Sequence, residues 1–124
     1  MHKKTITALA ISLIATTAQA EWSYLTSGDT DRFYIDYSTI KKTRHGVRAW
    51  MMQEYMGGRA VLSSRDLVEF DCKEERSRIL STTKFAGPMA TGALVVSYSG
   101  SGPWDYAAPG TVGEAKLQAV CKHK

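Results

Sequence analysis

Cys72 and Cys121 are the residues of this chain with the clearest chemistry, and they are its only cysteines. Three kinds of chemistry are open to such a pair: a redox couple, a metal site or a disulfide. A redox couple wants the Cys-x-x-Cys spacing that is absent here. A metal site needs His or acidic partners, and beyond residue 20 the histidines are His45 and His123. The pair is therefore expected as a disulfide, closing a loop of about 50 residues and stabilising the fold by about 4 kcal/mol in the chain-entropy model. That reading requires an oxidising compartment.

Nucleophilic catalysis needs a Ser or a free Cys beside a His base that a third group orients. His45 lies in a polar turn, His123 falls where the chain is expected to fray, and no Gly-x-Ser-x-Gly elbow occurs. Glu74 and Glu75 are adjacent and project to opposite sides of an extended chain, which is wrong for a cooperating carboxylate pair. Asp29 and Asp31 share a face but lack the further oxygen ligands and closing Glu of a calcium loop, so they read as turn formers. No enzyme, cofactor or metal centre is expected.

The densest charge feature is Lys41-Lys42-Thr43-Arg44-His45, with Arg48 just beyond. Its plainer reading is a solvated hairpin loop whose lysines keep a sheet edge from pairing with neighbours, with Asp29, Asp31 and Asp36 close enough in sequence to neutralise it. Its functional reading is a contact for an acidic glycan, a lipid head group or an acidic protein surface. Aromatic residues form the second feature. Trp50 shares a strand face with Met52 and is expected to pack under a helix, whereas Trp104 and Tyr106 stand in a Gly/Pro-flanked loop of the kind that serves interfaces. Lys41, Lys42, Arg44, Arg48, Trp104 and Tyr106 are the candidate ligand contacts.

Residues 1–20 read as a cleavable export signal. Met1-His2-Lys3-Lys4 is positive, Thr5 to Ala15 carries a short apolar stretch, and Ala18-Gln19-Ala20 is the small-x-small pattern cut before Glu21. The apolar run is about half the roughly 20 residues of a membrane span. No cysteine near the cut can carry a lipid anchor, so a periplasmic or secreted product without a transmembrane anchor is expected. Cleavage removes Lys3 and Lys4, which lowers the net charge from +4 to +2 and leaves little of the basicity of a nucleic-acid binder. Residues 21–124 make a single domain of about 100 residues.

Beyond the signal the pattern is mostly period two. Phe33, Ile35 and Tyr37 form one alternating face, and Val47, Ala49 and Met51 alternate with Arg48, Trp50 and Met52 in a central strand. Val68, Phe70 and Cys72 form another face. Ser77, Ile79, Ser81, Thr83 and Phe85 give a strand that pairs antiparallel with it across a Lys73-Glu74-Glu75 turn. Leu94, Val96 and Tyr98 make a fifth strand after Gly87-Pro88, and a short opening strand near Trp22–Leu25 makes six. Thr111-Val112-Gly113-Glu114 then fits a capping box. Leu117, Val120 and Cys121 follow at helical spacing on one face, with Lys116 and Lys122 outside. The expected fold is α+β: an antiparallel sheet of about six strands with a C-terminal helix packed on it, one disulfide pinning helix to sheet.

Taken in order, Trp22, Phe33-Tyr34-Ile35-Asp36, Val47-x-x-Trp50, Phe70-Asp71-Cys72, Trp104-x-x-x-x-Pro109-Gly110-Thr111 and Val120-Cys121 resemble the surface-adhesin protein E-like domain family. The resemblance covers essentially the whole of residues 21–124. It implies the same sheet-plus-helix fold, and members that bind host matrix and plasma glycoproteins and can dimerise. The lipid-attachment cysteine of that pattern is absent here. The resulting expectation is an exported, non-enzymatic binding module for a protein or an envelope or extracellular-matrix component, with a homodimer as an option. The alternative is a soluble periplasmic accessory or stress protein with a small-molecule or envelope-protein ligand.

Overall fold

A computed structural model describes residues 5, 7–10 and 20–123. Most of the expected export signal, including Ala18 and Gln19, lies outside the described residues, as does Lys124. Period-two alternation builds β1 (Ser23–Ser27), β2 (Asp31–Lys42), β3 (Val47–Tyr55), β4 (Ser63–Asp71), β5 (Arg76–Phe85), β6 (Leu94–Ser99) and the two-residue β7 (Asp105–Tyr106), followed by α1 (Val112–Cys121). Each strand pairs antiparallel with the one before it in the order β1-β2-β3-β4-β5-β6, and β7 shares the outer edge of β5 with β6. The expected architecture is present, with the Trp104-Asp105-Tyr106 loop contributing a short seventh strand.

Helix α1 lies across one face of this sheet. Ile35, Ala49, Met51, Val68, Phe70, Leu117 and Val120 form the core between them. Thr111 caps the helix, accepting from Glu114 N at 3.3 Å, while Gly110 N donates to Glu114 Oε1 at 3.4 Å. The carboxylate thus reaches one residue further back than the usual capping box. Cys72, just past β4, is bonded to Cys121 in the last turn of α1, with Cα atoms 5.8 Å apart and a sequence separation of 49. A ten-residue helix is marginal alone, so core packing and this bond are what hold it.

Four details differ from the sequence reading. Trp50 and Met52 do share a face, but it is the face opposite α1. The helix covers Ala49 and Met51 instead, because the small Ala49 lets the helix approach where an indole would hold it away. Lys116 is not outside: its ammonium sits 4.5 Å from the centroid of the Phe33 ring, under the helix. On β5 a register shift opposite Leu67 and Val68 breaks the alternation. Ile79 pairs with Val68 on the helix side while Ser81 pairs with Leu67 on the other, so Ser77 through Phe85 do not form one face. His123 is stacked on Tyr37, with centroids 4.8 Å apart, rather than frayed.

Candidate binding cleft on the open sheet face

Among the described residues no helix or second sheet covers the face away from α1, and one irregularity in β2 gives that face its shape. Asp36 pairs with Trp50, yet the next partners are Lys41 and Arg48, so residues 37–40 of β2 stand opposite a single residue of β3. This wide bulge is held by side chains suited to it. Ser38 N donates to Asp36 Oδ1 at 3.0 Å. Thr39 Oγ1 donates to the Asp36 carbonyl at 2.6 Å and accepts from Trp50 N at 2.9 Å. Asp, Ser and Thr make such local turns readily because their short oxygens reach nearby backbone groups.

Two adjoining cavities open around the bulge. One, of about 460 Å³, is walled by Ala20, Trp22, Asp36, Ser38, Thr39, Trp50 and Arg65. The other, of about 350 Å³, is walled by Ser38, Thr39, Lys41, Arg48, Trp50 and Leu67. The shared wall of Ser38, Thr39 and Trp50 makes them one cleft. Arg65 is stacked over Trp50 at 5.3 Å and faces Phe85 at 5.5 Å. Its Nε–H is buried without an acceptor. Asp36, the acid in the floor, accepts from Ser38 and from Glu21 N, the latter at 3.1 Å to Oδ2.

The candidate contacts divide as follows. Lys41 and Arg48 face each other directly across β2 and β3 and both line the cleft. Like charges so placed repel, by roughly 0.2–1 kcal/mol. Lys42 pairs with Val47 and so turns toward the other face, and Arg44 is exposed in the connecting turn. That turn is seated on β4: a Cβ at Gly46 would meet the Phe70 carbonyl oxygen at 2.2 Å. Trp104 is clasped by the Arg76 and Arg78 guanidiniums, each 4.3 Å from its centroid, with His45 edge-on at 5.4 Å. Tyr106 stands beside it on β7, 66% exposed. The basic turn and the Trp104 segment, distant in sequence, therefore meet at one end of the sheet.

The nearby acids are engaged elsewhere than in the Lys41–Arg48 patch. Among the described residues the ion pairs are Arg76–Asp71 at 3.0 Å and Arg78–Glu69 at 2.8 Å. Burial alone would raise Glu69, but the Thr43 hydroxyl and Arg78 outweigh it and hold its carboxyl below the usual range. The backbone N–H of Glu74, with Arg76, does the same for Asp71 against a smaller opposing effect of burial. Asp31 accepts from Gln53 at 2.6 Å. Contrary to the expectation from their closeness in sequence, Asp36 and Asp31 therefore do not neutralise the patch.

A second cavity, of about 440 Å³, lies on the helix side between α1, β4, β5 and the Gly100–Asp105 segment. Asp66 and Lys116 both line it. Burial pushes the Asp66 carboxyl up, against the pull of the Thr82 and Ser64 hydroxyls and of Lys116. Burial likewise pushes the Lys116 ammonium down, and the Asp66 charge only partly offsets that. Asp66 Oδ1 has no hydrogen-bond partner. Sequence reasoning missed this pair because helical spacing alone assigns a Lys to the outside.

No group of three or more His, Cys, Asp or Glu among the described residues is placed to hold a metal ion. The molecule is thus a one-helix antiparallel sheet with a disulfide staple, α1 on one face and a cationic and aromatic cleft on the other. The sequence profile of the surface-adhesin protein E family matches residues 22–122, and the chain belongs to that family. The crystal structure of Haemophilus influenzae protein E has the same fold, with a TM-score of 0.64 over 86% of this chain and 91% of that one at 14% identity. Among curated proteins no sequence matches this chain.

Proposed function

We propose that this chain is an exported, non-enzymatic binding module of adhesin type that holds an envelope or extracellular-matrix component against the open face of its sheet. The observation that carries the reading is the Lys41–Arg48 pair at the cleft, with no acidic side chain within ion-pair distance among the described residues. Two adjacent cations kept together despite their repulsion provide a ready anion contact. Exposed Arg44, Tyr106 and the clasped Trp104 extend the same end of the molecule. Immobilised protein exposed side by side to envelope extract and to matrix glycoproteins is expected to capture a component of one of them. Lys41→Glu with Arg48→Glu is expected to reduce that capture at least tenfold, and undiminished capture would remove the cleft from the reading.

Export through cleavage after Ala20 is part of the proposal. Family membership supports it, and no helix among the described residues is long and apolar enough to cross a membrane. Cleavage would convert Glu21 N, already 3.1 Å from the buried Asp36 carboxylate, into an α-ammonium, and would take Ala20 out of the cleft wall. A chain beginning at Glu21 is then expected to be more stable than its N-acetylated form by about 1–2 kcal/mol, as for a charge-assisted hydrogen bond. An ammonium that gains a carboxylate partner has its folded pKa raised. The advantage should therefore be complete below about pH 7.5, the unperturbed α-amino range, and vanish as pH rises through the folded value. Urea titrations of both forms at pH 6 and pH 10 measure it; equal stability at pH 6 would refute the pairing.

A second reading, a periplasmic accessory protein with a small-molecule ligand, is favoured by the 440 Å³ cavity beside α1. Intact cells whose protein resists external protease, with the protein released by osmotic shock, would select it over the adhesin.

A further inference from the structure

We infer that the open-face cleft is a saccharide subsite, built for a run of acidic sugar residues carrying carboxylate or sulfate groups. The inference rests on the binding-module reading above and gives it a ligand chemistry.

Three observations converge on it. The two cavities lie in tandem and share one wall, so the cleft is a trough suited to consecutive units of a chain rather than a pit for one small molecule. Its aromatic residues are the indoles of Trp22 and Trp50. Such flat, amphipathic surfaces take the C–H face of a sugar ring while leaving its hydroxyls free, and the Ser38 and Thr39 oxygens in the same wall, whose own hydrogens go to Asp36, are left to accept from those hydroxyls. Its charged residues are three cations and one acid: Arg65 with Asp36 in one cavity, Lys41 and Arg48 in the other. A guanidinium presents a planar fork matched to carboxylate and sulfate oxygens. Arg65, which lines the first cavity, is held in place for that use by stacking on Trp50 and Phe85.

The acids near the trough do not oppose this. Asp36 accepts from Glu21 N, which the cleavage proposed above would make an α-ammonium that offsets its charge, and Glu69, directly opposite Arg48 on β4, is paired with Arg78 at 2.8 Å. Lipid and peptide fit less well. An acyl chain needs an apolar channel, and Leu67 is the one aliphatic side chain longer than Ala that lines either cavity. An acidic peptide would use the cations but has no need of paired indoles.

The test is titration of the chain beginning at Glu21 with a sulfated uronic-acid octasaccharide, followed by tryptophan fluorescence and calorimetry. A polyglutamate peptide of equal charge and vesicles containing phosphatidylglycerol serve as the other arms. Saturable binding with a change in tryptophan emission is expected, weakened at least tenfold in Lys41→Glu with Arg48→Glu and in Trp22→Ala. Lys73→Glu, in the exposed turn after β4, should bind as the parent does. Each variant is first checked for an unchanged urea midpoint, and Arg48→Gln stands in if Arg48→Glu shifts it. Equal binding of polyglutamate or of vesicles, or an octasaccharide affinity indifferent to Lys41, Arg48 and Trp22, would overturn the inference. Capture of an envelope or matrix component that the octasaccharide fails to compete would sink the saccharide subsite while leaving the binding module standing; no capture at all would remove both.

Discussion

Replacing Cys72 and Cys121 together by Ser is expected to lower the unfolding free energy by about 4 kcal/mol and the melting temperature by on the order of 20 °C for a domain of this size. The bond closes 49 residues, so most of the effect lies in the unfolded chain, which regains the freedom that the closed loop denied it. The folded state also loses the tie on α1. Leu117 and Val120 remain as its buried anchors, and a helix of three turns with two anchors should open before the sheet does. Urea unfolding of the oxidised and variant proteins, with hydrogen exchange to locate the first opening, checks both parts. A loss below about 1 kcal/mol would mean that packing alone holds the helix and that the bond is incidental.

Phe70→Ala is expected to cost about 3–5 kcal/mol. Phe70 is fully buried at the centre of the core, between β4 and α1. Removing its ring forfeits the transfer energy of the side chain and leaves a void that the sheet backbone cannot close. The substitution also loosens the segment on which Gly46 rests, since the Phe70 carbonyl is the atom a Cβ at Gly46 would strike. The urea midpoint should fall with the slope unchanged, because the surface exposed on unfolding is nearly the same. A loss below about 1.5 kcal/mol would show that the core collapses around the gap. Phe70 and Cys72 are two residues apart, so combining this change with loss of the disulfide is not expected to be additive.

The parts of the fold that follow from local alternation could be read directly. Val47 to Met52, Val68 to Asp71 and Leu94 to Tyr98 fall within β3, β4 and β6, each a strand whose neighbour in sequence is its neighbour in the sheet. The capping box at Thr111 and the two cysteines carried the helix and its attachment in the same way. What alternation cannot tell is which of two faces a helix will choose, and the pattern around Trp50 fits a place beneath α1 as well as the opposite face it occupies. The deciding quantity is the size of Ala49, a contact between elements far apart in the chain. The cleft was hidden for a related reason. Its signal, Asp36-Tyr37-Ser38-Thr39, is a run of turn-forming oxygens inside an otherwise apolar strand, and such a run reads equally well as ordinary polar alternation. Arg65 and Trp22 join it only through sheet register, which no short motif records.

Strand order has a consequence for how the molecule is made. Every strand from β2 to β6 pairs with the one just before it, so as the chain lengthens from its N-terminal end each new hairpin can close on a partner that is already present. The disulfide behaves differently. Cys72 emerges with β4 still unflanked on one side, but its partner is 49 residues away, beyond β5, β6 and β7. The thiol of Cys72 must therefore stay unpaired until the last helix has been produced, and with no other cysteine in the chain it has no wrong intramolecular partner to choose meanwhile. The bond can therefore form only once α1 has been produced, and when made it ties the last turn of that helix to the end of β4.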